Sequence, residues 1–238
     1  MGGLAGRVVV ITGSTGGLGS AVTRAFAQTE ARMALVGRSA ERLEGPVREA
    51  GLPKERALPL VADVTQEAEV ERLVGAVLDH WGRLDVLLNT VGGWSGGKPV
   101  WETPVKAWER MIALNLRSAF LLSRAVLPHM LEANWGRIVH VASKTAVAPR
   151  AKQAAYAVAK MGLITLTEVI GAEVKGTGVT ANVILPSIID TPTNRKFMPK
   201  ADPGKWVPPE RIAATMRFLC SDAAASINGT RIPIYGAV

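Results

Sequence analysis

The chain has 238 residues, 48% hydrophobic and 20% charged, which suits one α/β domain with a single sizeable core. Its net charge of +8 comes from scattered basic residues, with no dense Lys/Arg run and no interleaved aromatic ladder. Nucleic-acid binding is therefore not expected, and attraction of anionic small molecules is the simpler reading.

No uninterrupted apolar run approaches the ~18 residues of a membrane span. The longest candidate, 119–131, carries Arg124 and His129, so no membrane partner is expected. Cys220 is the single cysteine, so no disulfide forms within the chain and no cysteine cluster points to a metal. Met-Gly-Gly-Leu-Ala-Gly-Arg runs straight into a strand and leaves no room for a secretion signal. A cytoplasmic location is the expectation.

Val8-Val9-Val10-Ile11 is continuously apolar, as in a parallel strand buried on both faces. It leads into Thr12-Gly13-Ser14-Thr15-Gly16-Gly17-Leu18-Gly19, and Val22, Ala25 and Phe26 then follow at helical spacing. A strand, a Gly-rich turn and a helix N-terminus make an anion site, because small residues let phosphate approach backbone N–H groups. No Gly-Lys-Ser/Thr follows, which excludes a nucleoside-triphosphate loop. A plain Gly-rich turn is the alternative, but its place after a buried strand favours a dinucleotide.

The next strand, 31–36, ends in Gly37-Arg38-Ser39, where an acidic residue would hold the ribose of NAD. Arg38 instead offers a guanidinium to a 2′-phosphate, which predicts NADP(H) in preference to NAD(H). Helical character at 40–50 precedes a strand at 56–61 that ends in Ala62-Asp63-Val64. Val70, Leu73, Val74, Val77, Leu78 and Trp81 then mark one apolar helix face. A fourth strand, 84–88, ends in Asn89-Thr90-Val91-Gly92-Gly93.

Helical periodicity from 105 to 131 includes Asn115, which on its own reads as a satisfied buried amide. A fifth strand, 137–142, reaches Ser143, and a turn with Pro149 leads to a helix carrying Tyr156 and Lys160 and ending near 175. Four residues apart, that pair shares a helix face. Lowering a tyrosine pKa from ~10 to about 7 takes roughly 4 kcal/mol, and a cation about 4 Å away at an effective dielectric near 20 supplies that order. Lys160 is the expected cation. Taken alone, the pair is equally an ordinary surface contact.

A sixth strand, 178–185, ends at Pro186-Ser187-Ile188-Ile189-Asp190-Thr191. Residues 193–207 show no clear period and form a candidate lid over a strand end. A final helix from Pro208-Pro209 to Cys220 and a seventh strand, 230–235, complete the chain. Strand and helix alternate throughout, which predicts a single-domain α/β Rossmann fold: a doubly wound, seven-stranded parallel sheet with right-handed crossovers.

Assembled, these motifs resemble the classical short-chain dehydrogenase/reductase family over nearly the whole chain. The Gly-rich turn is residues 12–19, the family's adenine contact is similar to Asp63-Val64, and its Asn, Ser, Tyr and Lys set matches Asn115, Ser143, Tyr156 and Lys160. The resemblance implies that Tyr156 exchanges a proton with the substrate oxygen and Ser143 hydrogen-bonds that oxygen. Lys160 would hold the nicotinamide ribose and shift the Tyr156 pKa, and Asn115 would support a water linked to Lys160. It further implies cofactor contacts at Gly13, Ser14, Thr15, Gly17, Leu18, Gly19, Ser39, Asn89, Gly92, Pro186, Ile189 and Thr191.

Thr90-Val91, Ser187 and Tyr235 depart from the family's usual residues. Basic residues at Lys98, Lys144, Arg150, Lys152, Arg195, Lys196, Lys200 and Lys205 suggest a 3-oxoacyl-thioester substrate, with a sugar, steroid or other secondary alcohol as runner-up. A dinucleotide-binding sensor without turnover is the non-enzymatic alternative. A homotetramer or dimer built on helices 105–133 and 153–176 is expected from the family.

Overall fold

The computed structural model describes residues 3–237. Seven parallel strands lie in the order β3-β2-β1-β4-β5-β6-β7. They are β1 (Val8–Thr12), β2 (Arg32–Gly37), β3 (Ala57–Val61), β4 (Val86–Asn89), β5 (Gly136–Val141), β6 (Val179–Pro186) and β7 (Arg231–Ile234). Strand order reverses between β1 and β4, and the crevice at that switch point is where such sheets take ligands.

The helices are α1 (Gly17–Ala27), α2 (Ala40–Glu49), α3 (Glu67–Trp81), α4 (Val105–Ile112), α5 (Ser118–Glu132), α6 (Lys144–Val147), α7 (Ala154–Glu173), α8 (Pro192–Phe197) and α9 (Pro209–Leu219). Side chains alternate across β1, and both faces are covered. Val9 and Ile11 join one core with Val22, Phe26 and Met216 of α1 and α9. Val8 and Val10 join the opposite core with Val74, Val77 and Leu122 of α3 and α5. Two-sided burial is the reason the strand reads as an unbroken apolar run.

Strand and helix limits fall within two or three residues of the sequence expectation, with three informative differences. The expected continuous helix over 105–133 is broken by a π turn at Ala113–Arg117. The unexpected α6 follows Ser143, whose Oγ accepts from Thr145 N at 3.2 Å and caps it. The irregular lid in fact opens with α8, because Thr191 Oγ1 accepts from Asn194 N at 3.2 Å and Pro192 suits a first helical position.

Two helical stretches, Val105–Glu132 and Ala154–Glu173, reach bilayer length with mean hydropathies of 1.2 and 1.3. Each buries one side against the domain, α5 on Leu121, Leu122 and Val126 and α7 on Leu163, Ile164 and Ile170. Their hydropathy is that of core helices.

Candidate active site

The first turn is built around glycine. Gly13 holds φ +72°, and a β-carbon on Gly19 would lie 2.1 Å from the Gly13 carbonyl, so neither position tolerates a side chain. Gly16 N donates to Gly13 O at 2.9 Å, while Ser14 is fixed to Val36 O through its N–H (3.1 Å) and its hydroxyl (3.2 Å). Gly16 and Gly17 stay exposed at the start of α1. A β-carbon on Gly17 would meet Thr191 Cγ2 at 2.8 Å, so the loop after β6 closes directly over this turn. The Leu18 side chain is buried in the core beneath and anchors the helix.

At the β2 end, Arg38 is exposed and Ser39 caps α2 by accepting from Arg42 N at 3.4 Å. Arg42, which the sequence reading passed over, sends Nη2 to Thr15 O at 3.4 Å and adds a second guanidinium beside the turn. Its spacing of four from Arg38 was the available signal. Asp63 is partly turned inward, accepting from Thr65 N (3.0 Å) and Thr65 Oγ1 (2.8 Å), and Val64 is buried.

Asn89 ends β4 in a buried polar chain. Its Oδ1 accepts from Thr12 Oγ1 at 2.9 Å and from Val91 N at 3.2 Å, and its Nδ2 lies 3.3 Å from His140 Nδ1. His140 Nε2 in turn sits 3.1 Å from Ser123 Oγ. Burial, with the charge of Lys160 as a smaller cause, pushes His140 down to about 3, so the ring is neutral. His140 lies inside an apolar strand run, so no sequence pattern marks it.

Asn115 and Lys160 meet at the next loop. A β-carbon on Gly92 would lie 3.0 Å from Asn115 Oδ1 and 3.1 Å from Lys160 Nζ, so this glycine is a gap between two polar side chains. Asn115 grips Gly93 through both main-chain groups (3.1 and 3.0 Å) and also donates to Met111 O at 3.1 Å. Lys160, 3% exposed, donates to Val141 O at 2.7 Å, which spends one of its three protons.

The expected acidification of Tyr156 is not what the chain's own groups produce. Lys160 Nζ stands 6.0 Å from the ring centroid. Burial raises the phenol pKa, and a hydrogen bond with Ser143 offsets this only in part. The same burial pushes the Lys160 ammonium down to about 7. Desolvation opposes charge on both partners, so the simple Coulomb estimate overstates what the lysine supplies.

Two of the departures from the family pattern, Ser187 and Tyr235, are bonded to each other. Ser187 Oγ donates to the Tyr235 carbonyl at 2.5 Å, and its N–H donates to Ile234 O at 3.1 Å. Thr90 Oγ1 donates to Thr12 O at 2.7 Å, bracing the first turn from the side. Pro186 ends β6, and the Ile189 carbonyl is taken by Asn194 Nδ2 at 2.8 Å. Among the basic residues, Lys144 lies over the Tyr235 ring, 5.0 Å from its centroid, and Arg195 is paired with Asp190 at 2.6 and 2.8 Å.

An exposed glycine turn at a helix N-terminus, with Arg38 and Arg42 after the neighbouring strand, thus lies at the same end of the sheet as Ser143, Tyr156 and Lys160. The short chain dehydrogenase family model matches residues 7–202. D-threitol dehydrogenase of Mycolicibacterium smegmatis is 35% identical over 242 residues, covering 98% of this chain and 93% of that protein. The 3-oxoacyl-(acyl-carrier-protein) reductase FabG of Thermotoga maritima is 32% identical, covering 99% and 98%. A crystal structure of an actinorhodin polyketide ketoreductase variant with NADPH superposes with a TM-score of 0.89 at 28% identity, covering 97% and 96%. The chain belongs to the short-chain dehydrogenase/reductase family.

Proposed function

We propose that this protein is an NADP(H)-dependent oxidoreductase that interconverts a carbonyl and a secondary alcohol. The observation that carries the reading is the convergence of Asn115, Ser143, Tyr156 and Lys160 on the strand ends beside the Gly13–Gly19 turn, with Lys160 and Asn115 both facing Gly92. The residues present fit a nicotinamide dinucleotide: the turn's exposed N–H groups suit its pyrophosphate, and Lys160 has protons to spare for ribose hydroxyls. Such a cofactor supplies or accepts hydride at the nicotinamide ring.

Burial keeps the Tyr156 phenol protonated at neutral pH, the form needed to donate to a carbonyl oxygen during reduction. Ser143 positions that oxygen, and Lys160, near 7, is poised to pass a proton on. Arg38 and Arg42 favour the 2′-phosphate of NADP over the bare ribose of NAD.

On substrate, pairing of Arg195 with Asp190 reduces the positive charge available for an anionic thioester. A neutral hydroxylated substrate is the better-supported class, in keeping with the threitol dehydrogenase likeness. A 3-oxoacyl thioester is the second reading, favoured by exposed Lys98, Arg150 and Lys152 and by the likeness to the acyl-carrier-protein reductase. The cytoplasm is the proposed setting. Exposed Phe120, Val158 and Val169 on α5 and α7 are the proposed surface for a homotetramer.

Tyr156→Phe tests the reading. It should bind NADPH with unchanged affinity and lose turnover by about 10²–10⁴-fold, measured as NADPH oxidation with a panel of ketones, thioesters and sugars. Unchanged turnover removes Tyr156 from the reaction. Arg38→Leu should shift the NADPH-to-NADH affinity ratio towards unity, and an unaltered ratio rejects the cofactor assignment.

A further inference from the structure

Strands β6 and β7 end side by side at Pro186 and Ile234, and the chain adds one more rung beyond both ends. Ser187 N donates to Ile234 O at 3.1 Å, and Ser187 Oγ donates to the Tyr235 carbonyl at 2.5 Å. A glycine or alanine at 187 can make only the first of these bonds. The hydroxyl therefore fastens the start of the loop after β6 to residues 235–237.

Those residues also reach Ser143. The Tyr235 ring packs on the cluster that holds Ala142 and Ala146, which flank Ser143, and Leu163 of α7. Lys144, next in the chain after Ser143, lies with its Nζ 5.0 Å from the centre of the same ring. The loop after β6 starts beside this wall, since Ala142 N donates to Ile184 O at 2.8 Å. Its far end rests on the glycine turn, where a β-carbon on Gly17 would meet Thr191 Cγ2 at 2.8 Å. Residues 186–191 thus run from the Ser143 wall to the turn.

The outer edge of the loop is strapped as well. Val207 N donates to Ile188 O at 2.8 Å, and Asp190 N donates to Val207 O at 2.9 Å. Ala237 N donates in turn to Lys205 O at 3.2 Å, and a β-carbon on Gly236 would lie 3.3 Å from Val207 Cγ2. Residues 235–237 consequently hold the loop twice, at its start through Ser187 and along its edge through 205–207.

We infer that Ser187 and Tyr235 are positioning residues for the cofactor. Their bond sets how the loop after β6 lies over the nicotinamide end, and so tunes affinity and hydride transfer without acting on the adenosine end. This rests on the dehydrogenase reading above and deepens it. A dinucleotide with its pyrophosphate on the glycine turn and its reactive ring beside Tyr156 passes beneath residues 186–191. Arg38 and Arg42, at the adenosine end, follow β2 and stand outside the strapped circuit. A loop that shifts by about 1 Å costs the ring its alignment, and misplacement on that scale slows a reaction steeply. Fastening the loop in advance also lowers the ordering cost when the cofactor arrives.

The test titrates the full chain with NADPH and with 2′-phospho-ADP-ribose, the same dinucleotide without its nicotinamide. NADH and ADP-ribose form a second pair without the 2′-phosphate. Ser187→Ala should weaken NADPH by about tenfold, the scale of one hydrogen bond, and lower kcat on the best-reduced carbonyl by a similar factor. Its affinity for 2′-phospho-ADP-ribose and its melting temperature should stay unchanged. Ser187→Thr keeps the hydroxyl and should restore most of both losses. Tyr235→Ala leaves the carbonyl but removes the ring that anchors it, and should show the same selective loss. Equal weakening of the two molecules of a pair, or losses that track a lowered melting temperature, make the bond merely structural and overturn the inference. Ser187→Ala with parental affinity and kcat overturns it too, as does Ser187→Thr no better than Ser187→Ala. A parent protein that binds neither pair defeats the dehydrogenase reading and this inference with it. A parent that binds and oxidises NADPH, beside an unaffected Ser187→Ala, leaves that reading intact and removes the inference alone.

Discussion

Asn115 holds Gly93 by both its main-chain groups, Oδ1 accepting from the N–H at 3.1 Å and Nδ2 donating to the C=O at 3.0 Å. The π turn makes this possible by widening the helix so that the amide also reaches Met111 O at 3.1 Å. The loop after β4, which faces Lys160 through Gly92, is thus held at Gly93 by one side chain.

Asn115→Ala should leave two main-chain groups of Gly93 without partners, at about 1–3 kcal/mol per group that stays dry. A fall in melting temperature of roughly 4–8 °C is expected for a loss near 2 kcal/mol in a domain of this size. Turnover should drop at the same time, because the glycine gap beside Lys160 loses its shape. Asn115→Asp keeps the acceptor and should lie between the two. Calorimetry and initial rates check both, and a variant as stable and active as the parent removes the clamp.

Lys160 is held at about 7 against an ordinary 10.5. Between those values the unfolded chain binds the extra proton, so stability from this residue rises with pH across the window. Below about 7 the full cost of burying the ammonium is present. Lys160→Met should therefore stabilise the cofactor-free protein at pH 6, by on the order of a few kcal/mol, with the gain shrinking towards pH 10. Denaturant unfolding at several pH values reads this. A gain that is constant with pH contradicts it.

His140 behaves in the same sense at lower pH. The folded ring titrates at about 3 and the unfolded ring at 6.5, so acid is taken up on unfolding between them. Stability should fall as pH drops through that range. His140→Asn should flatten the slope by close to one proton, about 1.4 kcal/mol per pH unit. An unchanged slope in urea melts between roughly pH 4 and 6 would show the imidazole to be solvated or already charged.

Much of this is legible in the amino-acid sequence. Two-sided burial leaves an unbroken apolar run in β1, and a turn that forbids β-carbons at Gly13 and Gly19 leaves glycines at fixed offsets. Tyr156 and Lys160 were readable because helix geometry alone puts them on one face. Hidden were the properties that depend on three-dimensional burial. Desolvation reverses the expected pKa direction of Tyr156, His140 links Asn89 to Ser123 from within a strand, and Asn115 opens a π turn where periodicity shows an ordinary helix.

Two glycine substitutions of one kind should act with opposite signs. A β-carbon on Gly19 would sit 2.1 Å from the Gly13 carbonyl oxygen and 2.7 Å from its carbon, both main-chain atoms that cannot rotate away. Gly19→Ala must therefore push α1 off the turn, separating the N–H groups proposed to bind phosphate from the strand end. NADPH affinity should fall by more than tenfold, with a loss of stability of at least the 1–3 kcal/mol typical of overpacking. Gly75 lies inside α3 with nothing within 4 Å of its added β-carbon. There alanine only removes backbone freedom from the unfolded chain, so Gly75→Ala should stabilise by about 0.5–1 kcal/mol and leave NADPH binding untouched. Equal effects from both substitutions, read by fluorescence titration and thermal melts, would mean that the turn is not packed as described.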